Sequence, residues 1–219
     1  MDPLGGEPAL RPLPIFELTR PSDLQQFAIG SDADVGGLST VQLAIEEGSG
    51  SESDMRPRGV FRGVLKNELG PTAEKAGVIK RGGYAGFRTK VRKMLFGEQT
   101  WNADHHQFLR LRVRNSGDEM KYYVNIQTEG PISTDIFQHR LWLGKVGEWE
   151  DVLIPFSNFA LTNKGEVMKN QFEMPRDEIR TIGISVLEKP GVYELGLEKV
   201  DCVSEIGLKL EKEGNGEKS

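Results

Sequence analysis

The sequence predicts an all-β protein, a single β-sandwich of about ten strands with little helix. Short segments in which apolar and polar residues alternate recur along the chain, as they do in strands that bury one face. Glycine accounts for 26 of the 219 residues and is concentrated between these segments, which indicates frequent turns. The clearest sandwich edge follows Trp149, because Val152, Ile154 and Phe156 alternate and Pro155 removes a backbone donor. We expect Trp149 to be buried in the same core.

The remaining elements follow in chain order. Residues 1–14 are expected to form an extended leader rich in Pro and Gly, residues 15–203 the sandwich, and residues 204–219 a flexible charged tail. Ser22 precedes apolar residues spaced three apart, which indicates one short helical turn. Strands are expected over residues 15–18, 41–45, 61–65, 87–91, 108–114, 122–126, 137–143, 149–156, 182–186 and 193–203.

Basic residues share one face in two of these segments. Three arginines do so in residues 108–114, and three basic residues do so in residues 88–92. If the two segments are neighbouring strands, their six charges form a plate that attracts anions, and the connection between them supplies apolar anchors. The predicted partner-binding surface consists of Arg88, Lys90, Arg92, Leu95, Phe96, Trp101, Arg110, Arg112 and Arg114. The alternative is that the arginines pair with acidic residues across strands while the apolar residues cap the sandwich.

Charge and composition exclude several classes of protein. The net charge of −5 argues against a general nucleic-acid binder, which needs a basic excess over the whole domain. The single cysteine, Cys202, excludes a framework of internal disulfides and fits a reducing compartment. No apolar run approaches the roughly 18 residues that span a bilayer, so we expect a soluble or peripheral protein. The first residues lack the features of a secretory or transit peptide, so we expect any leader to have been removed before residue 1.

No motif indicates catalysis, a metal or a cofactor. Residues 32–37 begin like a calcium loop, but Leu43 occupies the position that requires a bidentate Glu. We expect Asp32 or Ser31 to form hydrogen bonds with nearby backbone instead. Residues 105–106 are adjacent histidines, which point to opposite sides of an extended chain, and His139 has no nucleophile with a sequence signature. We therefore predict that the protein is not an enzyme and binds neither a cofactor nor a metal.

Several further motifs occur in a fixed order along the chain. They are Ser31-Asp32 with Gly36-Gly37-x-Ser39, Gly82-Gly83-Tyr84-x-Gly86, Leu109-x-Leu111-x-Val113-Arg114 followed by Gly117-Asp118, Trp149-x-x-Val152-x-Ile154-Pro155-Phe156-x-x-Phe159, Ile182-Gly183-Ile184, and Tyr193-Glu194-Leu195-Gly196-Leu197. Together they resemble the complex I intermediate-associated protein 30 family over residues 15–203.

The resemblance implies a jelly-roll sandwich similar to galactose-binding domains. It also implies a non-catalytic assembly factor for the membrane arm of mitochondrial NADH:ubiquinone oxidoreductase (complex I). The expected partners are membrane-arm subunits and other assembly factors, in the mitochondrial matrix and peripheral to the inner membrane. The basic plate adds anionic lipid headgroups as expected partners, and no nucleic acid is expected.

The alternative function is a carbohydrate- or small-ligand-binding module of the same fold. Related sandwiches place aromatic and amide side chains on a concave sheet. The residues of this chain that would form such a ligand face are Gln127, Gln138, Arg140 and Trp142.

Overall fold

The computed structural model describes residues 11–48, 56–71, 82–94 and 97–216. Within these ranges the protein is built almost entirely of strands, which confirms the predicted fold class. In chain order the elements are β1 Leu13–Glu17, β2 Phe27–Ser31, β3 Thr40–Glu46, β4 Arg58–Leu65, β5 Tyr84–Thr89, β6 Arg92–Met94, β7 Gly97–Gln99, β8 Phe108–Asn115, β9 Lys121–Thr128, β10 Asp135–Leu141, β11 Trp149–Pro155, β12 Ala160–Asn163, β13 Glu166–Val167, β14 Ile179–Leu187, β15 Gly191–Val203 and the helix α1 Glu205–Gly216. Short strands such as β6, β7 and β13 carry too few residues to show alternation, so the sequence predicted fewer strands.

Two antiparallel sheets form the sandwich in the described part of the chain. The six-stranded sheet has the order β11-β8-β15-β4-β3, with β1 also paired to β15. The seven-stranded sheet has the order β13-β12-β10-β9-β14-β5-β2. Leu111 of β8 and Val124 of β9 are fully buried in one continuous apolar cluster, so the inner faces of the two sheets share a core. Each sheet therefore also has an outer face.

The edge predicted after Trp149 is present, but the tryptophan itself is not in the core. β11 is an edge strand of the six-stranded sheet and ends at Pro155, while Phe156 and Phe159 are buried beside a 3-10 turn. Trp149 is half-buried on the outer face, where the guanidinium groups of Arg58 and Arg114 lie 4.2 and 5.6 Å from its ring centroid. The prediction that Trp149 is buried is therefore wrong. In β11, Val152 and Ile154 point into the core, so Trp149, at an odd-numbered position, points to the outer face.

The predicted flexible tail is also corrected, because α1 occupies Glu205–Gly216. The hydroxyl of Ser204 accepts a hydrogen bond of 3.0 Å from the backbone N–H of Gly207, which caps the first turn. Glu211 then forms an ion pair of 2.7 Å with Arg110 on β8. Capping and this contact hold the helix, and neither can be read from the charged composition of the segment.

Candidate functional site

The two basic segments lie on opposite outer faces of the sandwich. β8 belongs to the six-stranded sheet, whereas β5 belongs to the seven-stranded sheet. The predicted six-charge plate is therefore wrong. Alternation along a strand shows which residues share a face, but it does not show which sheet the strand joins.

The β8 arginines are engaged within the protein. Arg110 is buried and donates hydrogen bonds of 2.8 and 2.7 Å to the two carboxylate oxygens of Asp201, and these bonds raise the pKa of Arg110. Arg112 forms an ion pair of 3.6 Å with Asp151 on β11. The alternative of cross-strand pairing is thus confirmed for Arg110 and Arg112.

Other residues of the predicted partner-binding surface either have contacts within the protein or lie outside the described residues. Lys90 donates a hydrogen bond of 2.9 Å to the carbonyl of Gln25. The guanidinium of Arg92 lies 3.7 Å from the ring centroid of Trp101, which is only 8% exposed and belongs to the core. Leu95 and Phe96 are outside the described ranges. Trp101 is therefore not the exposed anchor that the sequence suggested.

An open groove of about 750 Å³ crosses the outer face of the seven-stranded sheet. It forms because glycines leave the sheet surface bare: Gly30 pairs with Gly86 across β2 and β5, and Gly183 of β14 faces Arg88 of β5. Polar side chains surround this floor. The groove-lining residues include Ala28, Gly30, Asp34, Tyr84, Gly86, Arg88, Asn125, Gln127, Gln138, Lys164, Gly183 and Ser185.

Only part of the predicted ligand face lies in this groove. Gln127 and Gln138 line it, as the comparison with related sandwiches suggested. Arg140 and Trp142 do not line it, and instead the guanidinium of Arg140 stacks 4.0 Å from the ring centroid of Trp142. Trp142 is 63% exposed. The structure therefore divides the four candidates into two pairs.

Three side chains on neighbouring strands form a chain of hydrogen bonds along the groove. The amide Nε2 of Gln138 donates to Oδ1 of Asn125 at 2.8 Å, and Nδ2 of Asn125 donates to the hydroxyl of Ser185 at 2.8 Å. These bonds orient the amides in advance of binding, so a ligand does not have to order them. The single oxygen of the Gln138 amide, Oε1, accepts no hydrogen bond from the described residues and is available to a ligand donor.

At the β2–β5 side of the groove, three polar groups meet over the glycine floor. A Cβ atom added to Gly30 would lie 2.9 Å from Oδ2 of Asp34, and one added to Gly86 would lie 2.9 Å from the hydroxyl of Tyr84. Burial raises the pKa of Tyr84; nearby Arg88 acts against this shift, whereas Asp34 adds to it. This arrangement offers a cation, a carboxylate and a hydroxyl in one place.

Sequence reasoning missed Asp34, Tyr84, Asn125 and Ser185 as site residues. The period-two pattern does contain a signal, because Tyr84 and Arg88 share a face with the glycine between them. What it lacks is the strand order that brings β5 beside both β14 and β2. The groove exists only after those pairings are made.

The described residues offer little that resembles a catalytic or metal centre. His139 stands beside Phe159 with ring centroids 5.5 Å apart, and burial lowers the pKa of its imidazole. No group of three or more His, Cys, Asp or Glu side chains within the described ranges is placed to hold a metal ion. No helix in those ranges is both long and apolar enough to cross a membrane.

Sequence comparison relates this chain to a known family. The family model for Complex I intermediate-associated protein 30 (CIA30) matches residues 16–197. A Neurospora crassa protein named "Complex I intermediate-associated protein 30, mitochondrial" is 36% identical over 211 residues, covering 88% of this chain and 73% of the relative. The Drosophila melanogaster protein of the same name is 33% identical over 183 residues, covering 81% of this chain and 57% of the relative.

Solved structures with the same fold include carbohydrate-binding modules. A family 11 module of a cellulosomal cellulase from Clostridium thermocellum superposes with a TM-score of 0.59 at 10% identity, covering 90% of this chain and 96% of the module. The same family of module in complex with a β-1,3-1,4-mixed-linked tetrasaccharide gives a TM-score of 0.54 at 11% identity, covering 86% and 95%. At these identities the likeness shows the fold alone.

Proposed function

Since this chain belongs to the Complex I intermediate-associated protein 30 family, we propose that it is a non-catalytic assembly factor that binds intermediates of the complex I membrane arm. Its partners in this proposal are membrane-arm subunits and other assembly factors. The site of action is the matrix side of the mitochondrial inner membrane. The relatives support the compartment, because they are named as mitochondrial proteins.

The single structural observation that supports a binding role is the groove on the seven-stranded sheet. It offers polar groups with unfilled hydrogen-bonding capacity, whereas Arg110 and Arg112 on the six-stranded sheet already have carboxylate partners. Accessible polar groups without partners can form hydrogen bonds across an interface, whereas groups that are already paired have less capacity to do so. Anionic lipid headgroups are not part of this proposal, because the basic plate on which that prediction depended is not formed.

The test is complementation of cells that lack their own member of this family. We expect the tagged chain to restore assembled complex I on native gels and to co-purify with its membrane-arm subassemblies. Arg88→Glu should weaken both effects, whereas Lys209→Glu, a charge reversal on exposed α1, should not. Purification that recovers the wild-type chain without any complex I subunit would contradict the proposal.

A carbohydrate-binding module is the second candidate, and the amides Gln127 and Gln138 in the groove favour it. The solved complex of a module of the same fold with a tetrasaccharide adds to this candidate. Titration with a mixed-linkage β-glucan tetrasaccharide separates the two functions. Saturable binding that is lost in Gln138→Ala would favour the module, and absence of binding would leave the assembly role.

A further inference from the structure

We propose that the groove of the seven-stranded sheet binds an extended segment of a partner polypeptide, and that Arg88 recognises an acidic side chain of that segment. This inference rests on the proposed function for the existence of a protein partner. It adds the site, the conformation of the bound segment and the charge that is selected.

The first step is the environment of Arg88. Its two neighbours across the sheet are Ala28 on β2 and Gly183 on β14, so neither neighbouring strand places a bulky side chain beside it. Arg88 is exposed, and its guanidinium donates a long hydrogen bond of 3.4 Å to the carbonyl of Thr89. No carboxylate in the described residues forms an ion pair with it. An exposed guanidinium without a counter-ion presents a flat, two-point donor for a carboxylate.

The contrast with the other face of the sandwich makes this position distinctive. On the six-stranded sheet, the half-buried Arg62 pairs with Glu46 and the half-buried Arg112 pairs with Asp151, so each of these two strand arginines has an acid beside it. Arg88 occupies an equivalent outward position on its own sheet, and Asp34 lines the same groove without forming an ion pair with it. A ligand carboxylate would supply the missing counter-charge.

The second step is the chemistry of the remaining groups. Asp34 accepts one hydrogen bond of 3.3 Å, from the N–H of Ser31, and can accept more. The oxygen of the Gln138 amide is also available as an acceptor. A simple anion satisfies Arg88 but cannot donate to these two acceptors. A polypeptide supplies both kinds of group, because each residue carries an N–H donor and a carbonyl acceptor.

The third step is the size of the groove. It runs over β2, β5, β14, β9 and β10, which are neighbours in the sheet. Five strands spaced about 4.8 Å apart span roughly 19 Å, which an extended chain of about six residues covers at about 3.3 Å per residue. A groove of this length fits a short extended segment better than a single small molecule.

The aromatic content of the groove favours a peptide over a sugar. Apolar faces of sugar rings need flat, exposed aromatic surfaces, and the exposed aromatic side chain among the described groove-lining residues is Tyr84, at 46%. Trp142, the most exposed tryptophan of this chain, lies outside the groove and is covered on one side by Arg140. The amide of Gln138, whose oxygen is available, instead resembles a peptide group and can pair with a ligand backbone.

The experiment is a two-dimensional amide NMR titration of the isotopically labelled full chain. The probes are three pools of nine-residue peptides, blocked at both ends, with Glu, Gln or Lys at the centre and four randomised positions on each side. The tetrasaccharide is titrated in parallel. Backbone amides of Gly30, Gly86 and Gly183 report directly on the groove floor.

We expect the Glu pool to shift these three signals and to bind about tenfold more tightly than the Lys pool, with a preference that falls as salt is added. Arg88→Gln should reduce the Glu preference to less than about twofold, and Ala28→Gln should weaken all peptide pools by filling the space beside Arg88. The matched control is Arg62→Gln, which removes a strand arginine from the opposite face and should leave binding unchanged.

Three results would overturn the proposal: no shift with any peptide pool, equal affinity for the Glu and Lys pools, or shifts with the tetrasaccharide alone. A failure of the proposed function is separately visible. In that case peptide binding in solution would persist while complementation and recovery of complex I subunits fail. Unchanged amide spectra of the free variants away from the substituted position establish that they are folded.

Discussion

Arg110 and Asp201 face each other across β8 and β15 and form a two-point ion pair, with side chains only 9% and 8% exposed. The same guanidinium reaches Glu211 on α1. Arg110 therefore joins β8 and its neighbour β15 to the C-terminal helix α1. Its charge is neutralised by these two carboxylates, so Arg110 does not have the partner-binding role that its position on the outer face suggested.

Replacing Arg110 with Met should destabilise the protein by about 3–5 kcal/mol, because Asp201 would remain buried without its partner. The double variant Arg110→Met with Asp201→Leu should recover much of this loss. Arg112→Met on the same strand is the control, and its more exposed ion pairs predict a loss of less than about 1 kcal/mol. Urea denaturation measures all three; equal losses for Arg110→Met and Arg112→Met would contradict the interpretation.

Asp32 links its own turn to Ser39 before β3 and to Tyr84 at the start of β5. Its carboxylate accepts hydrogen bonds of 2.9 and 2.8 Å from the N–H and hydroxyl of Ser39, and one of 3.2 Å from the N–H of Tyr84. Asp32→Asn should cost about 1–3 kcal/mol, because an amide cannot accept at both of its ends. Asp34→Asn loses one longer bond and should cost less. A larger loss at position 34 would count against this account.

Trp149→Ala should cost about 1–2 kcal/mol, because it removes two cation–π contacts and part of a buried surface rather than a fully buried ring. Ile154→Ala on the same strand should cost about 2–5 kcal/mol, because Ile154 is 2% exposed in the core. Thermal or urea unfolding of the two variants gives the comparison. The reverse order would mean that Trp149 is a core residue after all.

Alkaline pH should destabilise the fold. Burial is the main cause that raises the pKa of Cys202, Tyr122 and Tyr193 above their ordinary values of 9.0 and 10.0. The native state keeps these protons while the unfolded chain releases them, so their stabilisation is complete below about pH 9 and falls as the pH rises. Each ionising group lowers stability by about 1.4 kcal/mol per pH unit.

The comparison of the wild type with Tyr193→Phe isolates this effect from other alkaline titrations. Urea midpoints measured between pH 8 and 11.5 should fall less steeply above pH 10 in Tyr193→Phe, because one titrating group is gone. Parallel curves for the two proteins would contradict the assignment.

Much of the fold could be predicted from particular residues. The alternation in β8, the stop at Pro155 and the hydrogen-bonding role of Asp32 are local properties, and the structure confirms them. The candidate site was predicted only in part. Gln127 and Gln138 were recognised because related sandwiches carry amide side chains on a concave sheet, whereas Asp34 and Tyr84 reach the same groove from a turn and a strand far away in the chain.

Alternation, turn residues and ordered motifs in the sequence alone established an all-β sandwich of a recognisable family, because side-chain direction along a strand depends only on local backbone geometry. Whether an outward arginine such as Arg110 or Arg88 has a carboxylate partner was decided by the tertiary structure. The physical reason is that charge compensation depends on the residue lying opposite in the neighbouring strand, and that neighbour is set by sheet order. Arg110 on β8 therefore lies opposite Asp201 on β15. Arg88 on β5 lies opposite Ala28 and Gly183, neither of which carries a charge, and it is exposed in the groove.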